Sequence, residues 1–280
     1  MVNHNCYTNY MGQFTLRYTL RVLKEMQERD PERLKQVVSQ SGLSEEECKD
    51  WNEKAEAMRI PYDKETKLFE QHVGYFDLPH IDVDAIPIEE FPLYHHWTYD
   101  RIYRNDMIKQ PDVLMFLFLF NSRFNKDVLK ANYEFYEPRC IHESSLSPSV
   151  HSILAAQLGK EKEAFDFFGF ATRMDLDNYN RNSGEGLHTT SIAAAWMNIV
   201  YGFGGLRSDA ETLTLRPTIP EKWDSYRFRI VYRGEILCVC VEKEKVSLQT
   251  LNGGSMPILF YDQPIEANGE EQWFTIPKNN

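Results

Sequence analysis

The sequence is short of the features that mark several large classes of protein. Its longest wholly apolar run, 113–120, has eight residues, where a helix needs roughly 20 to cross a bilayer. No basic-then-apolar leader opens the chain, so membrane and exported classes are disfavoured, no membrane partner is expected, and a cytoplasmic location is predicted. No Lys/Arg run stands against the formal net charge of −11. A site tracking a nucleic-acid backbone would need a basic patch to overcome that repulsion, so no nucleic-acid partner is expected. Cysteine is sparse: Cys6, Cys48, Cys140, Cys238 and Cys240 are scattered, with no C-x-x-C pair. That argues for reduced thiols packed as small hydrophobes, with no redox pair and no metal site. No internal repeat of fixed length and no low-complexity segment occurs, which disfavours a solenoid.

What is present suits a globular chain with a sizeable core. The 280 residues are 42% hydrophobic, 26% charged and 13% aromatic, which predicts one large domain, or a large one with a small one. The aromatic excess would suit a core or a sugar-binding cleft. Helical periodicity dominates up to about Arg207, and short alternating segments follow from about Glu211. The expected domains are therefore 1–207 and 208–280. Tyr7, Met11, Phe14, Tyr18 and Val22 form one apolar stripe on an opening helix. Asp30 before Pro31 marks a second helix start, and Ser44 with Glu47 a capping box for a third. Residues 60–97, with Pro61, Pro79, Pro87 and Pro92 among many aromatics, predict a long ordered loop. Helices are expected at 111–120, 125–135, 148–158 after a Ser147 cap, 161–173 and 191–201. Gly159 separates two of them. Strands are expected at 212–216, 228–233, 235–241, 246–251, 257–261 and 273–276, with a turn at Asn252, Gly253 and Gly254. Segment 235–241 is apolar on both faces and should lie inside a packed sheet. The chain enters its first amphipathic helix almost at residue one, as a cut polypeptide would.

Four clusters could carry chemistry. Asn3, His4, Asn5, Tyr7, Thr8 and Asn9 gather neutral hydrogen-bonding groups that suit sugar hydroxyls, and equally suit a capped helix start. Lys109 and Gln110 place a cation and an amide before Pro111, either to grip a ligand or as a solvated helix end. Glu137, Arg139, His142, Glu143, Ser144, Ser145 and Ser147 crowd a loop before a helix. An ion pair of Glu137 with Arg139, plus a Ser147 cap, would explain about half of that group structurally. Glu185, His188, Thr189, Thr190 and Ser191 lead into a helix whose unpaired N–H groups and dipole favour an anion; an ordinary cap with a packed histidine is the plainer alternative. Gly202, Gly204 and Gly205 read as a helix stop, because they follow a helix rather than a strand and the Lys-Ser/Thr of a phosphate loop is missing.

Several of these segments resemble the C-terminal part of glycoside hydrolase family 65, the inverting α-glucoside phosphorylases of maltose, kojibiose, nigerose and trehalose. Residues 2–9 are similar to the family's V-D-N-N-A-Y-T-N, with Asn3, His4 and Cys6 departing from it. Residues 109–113 resemble K-Q-A-D-V; 136–139 resemble the start of Y-E-P-R-T; 142–147 resemble H-D-S-S-L-S with Glu143 in place of Asp; 185–188 resemble E-G-I-H. In the small β domain the match is mainly Leu215, Arg216 and Pro217.

The resemblance implies a mainly α chain with a C-terminal β domain, namely part of an (α/α)6 barrel followed by a small β-sandwich. It implies phosphorolysis of a glucose disaccharide to β-glucose 1-phosphate, with inorganic phosphate as co-substrate and no other cofactor. His188, Thr189 and Thr190 would hold phosphate, and Lys109 and Gln110 the glucosyl unit. Arg139 would orient neighbouring carboxylates, with Glu143 and Glu185 in support. The family's general-acid glutamate lies in G-P-D-E-Y-H-E-N-V, whose last residue corresponds to Val2, so it would precede Met1. The chain is accordingly expected to be a C-terminal fragment, inactive alone, that forms a homo-oligomer or associates with the missing N-terminal part. A hydrolase of the same fold, with Glu185 activating water, and an inactive carbohydrate-binding or interaction fragment are the alternatives.

Overall fold

The computed structural model describes residues 2–143, 145–179 and 181–277; of the residues named above, Met1 and Ser144 lie outside them. It divides into two compact units, Met1–Leu78 and Pro79–Asn280.

The first unit is a set of three helices and a short hairpin. α1 (Cys6–Arg29) is capped by Asn5, whose side chain accepts the Thr8 N–H, so a member of the first polar cluster serves as a cap. α2 (Pro31–Ser41) starts with the Asp30 side chain accepting the Arg33 N–H and stops at Gly42, φ +71°. α3 (Glu45–Ala57) starts with Ser44 accepting the Glu47 N–H. Along the α1 stripe Tyr7, Met11, Phe14 and Val22 are half-buried and Tyr18 is exposed. β1 (Tyr62–Asp63) pairs antiparallel with β2 (Leu68–Phe69).

The proline-rich stretch 60–97, expected as one loop, is divided: its start carries the β1–β2 hairpin of the first unit, and the second unit opens with the remainder from Pro79. Leu93, Trp97, Met107 and Ile141 bury one another there, with Ile81, Val83, Ile86 and Phe91 packed around them. Two short helices, α4 (Leu93–His96) and α5 (Tyr99–Tyr103), interrupt it. α6 (Asp112–Leu119), apolar on nearly every face, is correspondingly buried. α7 (Lys126–Tyr136) is capped by Asn125. α8 (Ser147–Leu158) and α9 (Glu161–Arg173) are separated by Gly159 at φ +80°. α10 (Thr189–Met197) begins two residues before the expected start and runs into a π-helical segment, Asn198–Phe203.

Two local expectations fail. Ser147 is the first residue of α8 rather than its cap, the N-cap position being Leu146; the Ser147 hydroxyl lies 3.1 Å from His142 Nδ1. Glu137 does not pair with Arg139, whose Nε donates to Asp106 at 2.8 Å. The two occupy the first and third positions of a 3₁₀ turn, Glu137–Arg139, where residues two apart point to different sides.

The C-terminal strands form two sheets. β3 (Leu213–Leu215), β4 (Ser225–Tyr232), β5 (Glu235–Glu242), β6 (Lys245–Thr250), β7 (Met256–Phe260), β8 (Gln263–Ala267) and β9 (Gln272–Thr275) order as β4-β5-β6-β9, all antiparallel, and β3-β7-β8, with β3 parallel to β7. One core joins them, including Leu213, Leu215, Leu237, Val239, Val246, Leu248, Ile258 and Phe260. β5 is an interior strand, as its two apolar faces required. β8 was not foreseen: Pro264 weakens its strand pattern, and Pro is tolerated because β8 is an edge. The glycine stop holds. Gly205 takes φ +59° against the Arg216 backbone, so a side chain there would collide with the residue that follows β3.

Candidate functional site

Three of the expected residues, remote in sequence, meet around α4. Its first N–H, from Leu93, is accepted by a Glu143 oxygen. The other Glu143 oxygen lies 3.9 Å from Lys109 Nζ, and Lys109 sits 4.6 Å from the Tyr94 ring centroid. The Tyr94 hydroxyl donates to Glu185, 3.1 Å from each oxygen, and His95 Nε2 lies 3.2 Å from the same carboxylate. The result is a continuous wall, Glu143–Lys109–Tyr94–Glu185–His95. Gln110 follows Lys109, exposed, at the mouth of α6.

The two carboxylates of this wall differ in setting. The Glu143 side chain is 2% exposed while that of Glu185 is 55% exposed. Burial pushes the Glu143 carboxyl above the usual range, against the opposing pull of the Leu93 N–H, Lys109 and His95. Burial also raises the Tyr94 phenol, with Glu185 adding to the shift and a hydrogen bond to Asn182 opposing it. The wall can therefore offer a cation, an exposed carboxylate and several neutral donors to a polyhydroxylated ligand.

The second assembly sits at the start of α10. His188 is its N-cap residue, and Asp175 accepts both the His188 N–H, at 2.8 Å, and the ring Nδ1–H, at 2.5 Å. These bonds hold the Asp175 carboxyl below its ordinary value. A carboxylate already satisfies the first free N–H of this start, so an incoming anion would meet Nε2 of His188 and the exposed Thr189 and Thr190.

Arg139 is committed to a different task. Besides Asp106 its guanidinium donates to the Phe135 carbonyl at 2.7 Å. Buried Asp106 also takes the Ile81 N–H at 3.1 Å and His80 Nδ1 at 2.8 Å. Arg139 thus holds the Asp106 carboxylate, which pins the loop at 80–81. Tyr94, His95, Asp106 and Asp175 went unnoticed in the sequence. Tyr94-His95 in an ordered aromatic loop was a usable signal; Asp175, thirteen residues before His188, had none.

Helices followed by a small two-sheet domain define a helical-barrel class of protein, here part of an (α/α)6 barrel followed by a small β-sandwich. Residues 1–197 match the glycosyl hydrolase family 65 central catalytic domain, and residues 206–267 match the family 65 C-terminal domain. The chain belongs to glycosyl hydrolase family 65. It is 40% identical over 268 residues to maltose phosphorylase of Bacillus subtilis (strain 168), covering 96% of this chain and 34% of that protein. Against kojibiose phosphorylase of Caldanaerobacter subterraneus subsp. tengcongensis it is 34% identical, covering 90% of this chain and 33% of that protein. A solved structure provisionally described as a kojibiose phosphorylase from human microbiome superposes with a TM-score of 0.89 at 47% identity, covering 98% of this chain and 36% of the other. The chain spans about a third of the length of the curated relatives it matches. Among the described residues no helix is long and apolar enough to cross a membrane.

Proposed function

We propose that this chain supplies the phosphate-side wall and part of the sugar pocket of an inverting α-glucoside phosphorylase, which uses inorganic phosphate to split a glucose disaccharide into β-glucose 1-phosphate and a free sugar. Residues 1–207 would be its part of the catalytic barrel and 208–280 the small sandwich. The arrangement at α10 carries the reading. An imidazole fixed through Nδ1 by Asp175 leaves Nε2 on the far side of the ring, next in the chain to two exposed threonines, and relatives that match over this part of the chain are phosphorylases by name.

Phosphate is nucleophilic at neutral pH, so its face of the pocket needs donors rather than a base. When protonated, His188 would give Nε2–H to a phosphate oxygen, with the Thr189 and Thr190 hydroxyls donating to others. Lys109 and Gln110 would hold the glucosyl hydroxyls, Lys109 being kept in place by Glu143 and the Tyr94 ring. As phosphate attacks the anomeric carbon from one side, the leaving oxygen must gain a proton on the other. By resemblance that proton comes from the glutamate of the G-P-D-E-Y-H-E-N-V stretch, which does not occur in these 280 residues. No cofactor beyond phosphate is needed. The working protein would be a homo-oligomer or an association with the polypeptide bearing the acid, in the cytoplasm.

A hydrolase of this fold is favoured only by the exposed Glu185 carboxylate, held by Tyr94 and His95 as a water-activating base would be. In the polypeptide carrying the complete catalytic domain, His188→Ala should raise the KM for phosphate and lower kcat/KM by about 10- to 1,000-fold, with Glu185→Gln costing less. Full activity in His188→Ala, together with loss of phosphate-independent sugar release in Glu185→Gln, would overturn the phosphorylase reading in favour of the hydrolase.

A further inference from the structure

Apart from that wall, three side chains meet where the loop before α8 folds against that helix: Cys140, His142 and His151. Their sulfur and ring nitrogens lie within 4.8 Å of one another, and the two imidazoles meet edge to face with centroids 4.7 Å apart. Backbone contacts set this geometry. The Cys140 N–H donates to the Glu137 carbonyl at 3.1 Å, and Cys140 bridges Ile108 in parallel. His142 sits at φ +50°, a left-handed conformation that a bulky side chain seldom adopts without a surrounding structure to hold it.

The protonation of His151 follows from its neighbour. Its Nδ1 lies 2.7 Å from the Ser147 carbonyl oxygen, which can only accept, so Nδ1 carries the proton and Nε2 keeps its lone pair. That Nε2 is buried and has no hydrogen-bond partner among the described residues. Buried acceptors are rarely left so. The Tyr133 and Phe167 rings around His151, with centroids at 5.9 and 5.2 Å, fill space but give Nε2 no donor in the described contacts. An imidazole anchored through Nδ1–H to a backbone carbonyl, with Nε2 bare beside a thiol and a second imidazole, has the form of a metal ligand with its outer support in place.

We propose that Cys140, His142 and His151 bind one thiophilic d10 cation, Zn2+ or Cu+, through a thiolate and two imidazole nitrogens. Softness of the donor set selects these ions over Mg2+ or Ca2+. Binding is a proton exchange with no redox step: the Cys140 S–H proton leaves to solvent as the sulfur–metal bond forms. Because the thiol proton is released on binding, affinity rises with pH. The bound ion ties residues 140–142 to α8 and thereby steadies Glu143, the next residue, against α4. The absence of C-x-x-C spacing concealed the group, because its members are separated by one and by eight residues and meet only through the left-handed turn at His142.

The test is anaerobic titration of the chelator-stripped protein with Zn2+ and with Cu+, each against a chromophoric competitor, and with Co2+ as an optical probe. The expected result is one cation per chain, release of about one proton, and a near-ultraviolet thiolate-to-cobalt band that Cys140→Ser abolishes. Affinity should fall by at least about 100-fold in Cys140→Ser and in His151→Gln. Which cation outcompetes its chelator distinguishes Zn2+ from Cu+. Failure of the unaltered protein to bind either ion stoichiometrically refutes the site without reliance on any variant. So does one-to-one binding that both variants retain.

Discussion

Asp175→Asn isolates the contact that fixes His188. The carboxylate accepts two hydrogen bonds from His188, at 2.8 Å from the N–H and 2.5 Å from Nδ1–H, with the two side chains only 13% and 19% exposed. An amide keeps one accepting oxygen and turns an NH2 donor toward the other position, so one charge-assisted bond, worth about 1.5–3 kcal/mol, is lost. Removing the negative charge from the start of α10 costs about 0.3–1 kcal/mol more. If the loss falls on the imidazole, the KM for phosphate should rise by about 10- to 100-fold, at 1.4 kcal/mol per tenfold, with a smaller fall in kcat. The assay is steady-state phosphorolysis at saturating disaccharide and varied phosphate, in the polypeptide carrying the complete catalytic domain. Stability gives a second signature. Because the His188 bonds depress the Asp175 carboxyl in the folded state, its contribution is present above the unfolded value of about 3.9 and disappears as pH falls through the lower folded value. The gap between parent and variant should therefore be full near neutrality and close in acid. An unchanged KM for phosphate alongside that stability loss would show that the pair is only a helix cap.

For Glu143 the sign is reversed: burial raises its carboxyl, so ionisation costs stability as pH rises through the folded value. Glu143→Gln should gain stability relative to the parent over that interval, as followed by urea midpoints from acid to neutral pH, and a constant difference would contradict the burial argument. Leu237→Ala, at a fully buried position between the sheets, should cost about 2–5 kcal/mol by chemical denaturation; a loss below 1 kcal/mol would mean that the sandwich core is misassigned. The 280-residue chain alone should show no phosphorolysis of maltose, trehalose or kojibiose, because an absent general acid forfeits about 100- to 10,000-fold. Turnover near a normal phosphorylase rate would overturn that expectation.

Local order was the most legible part of this sequence. Helix starts at Asp30-Pro31, Ser44 and Asn125, and stops at Gly159 and Gly205, follow from what those residues do to their own backbone, so they can be read without knowing the fold. The alternation from β4 onward was equally readable, except at β8, where Pro264 disguises an edge strand. The candidate residues Lys109, Glu143, Glu185 and His188 were visible as chemistry at helix starts and loops. Their partners were not. Arg139 had a carboxylate two residues away, yet the 3₁₀ turn delivers it to Asp106, thirty-three positions earlier. Ser147 had the look of a cap and became a buried first-turn residue beside His142. Composition and periodicity alone determined that this chain is helical first and stranded later, because those signals are carried by neighbours along the chain. Which carboxylate meets which cation, that Tyr94 reaches Glu185 and Asp175 reaches His188, and that Cys140, His142 and His151 gather in one place, only the tertiary structure decided, since such pairings depend on how distant backbone segments cross.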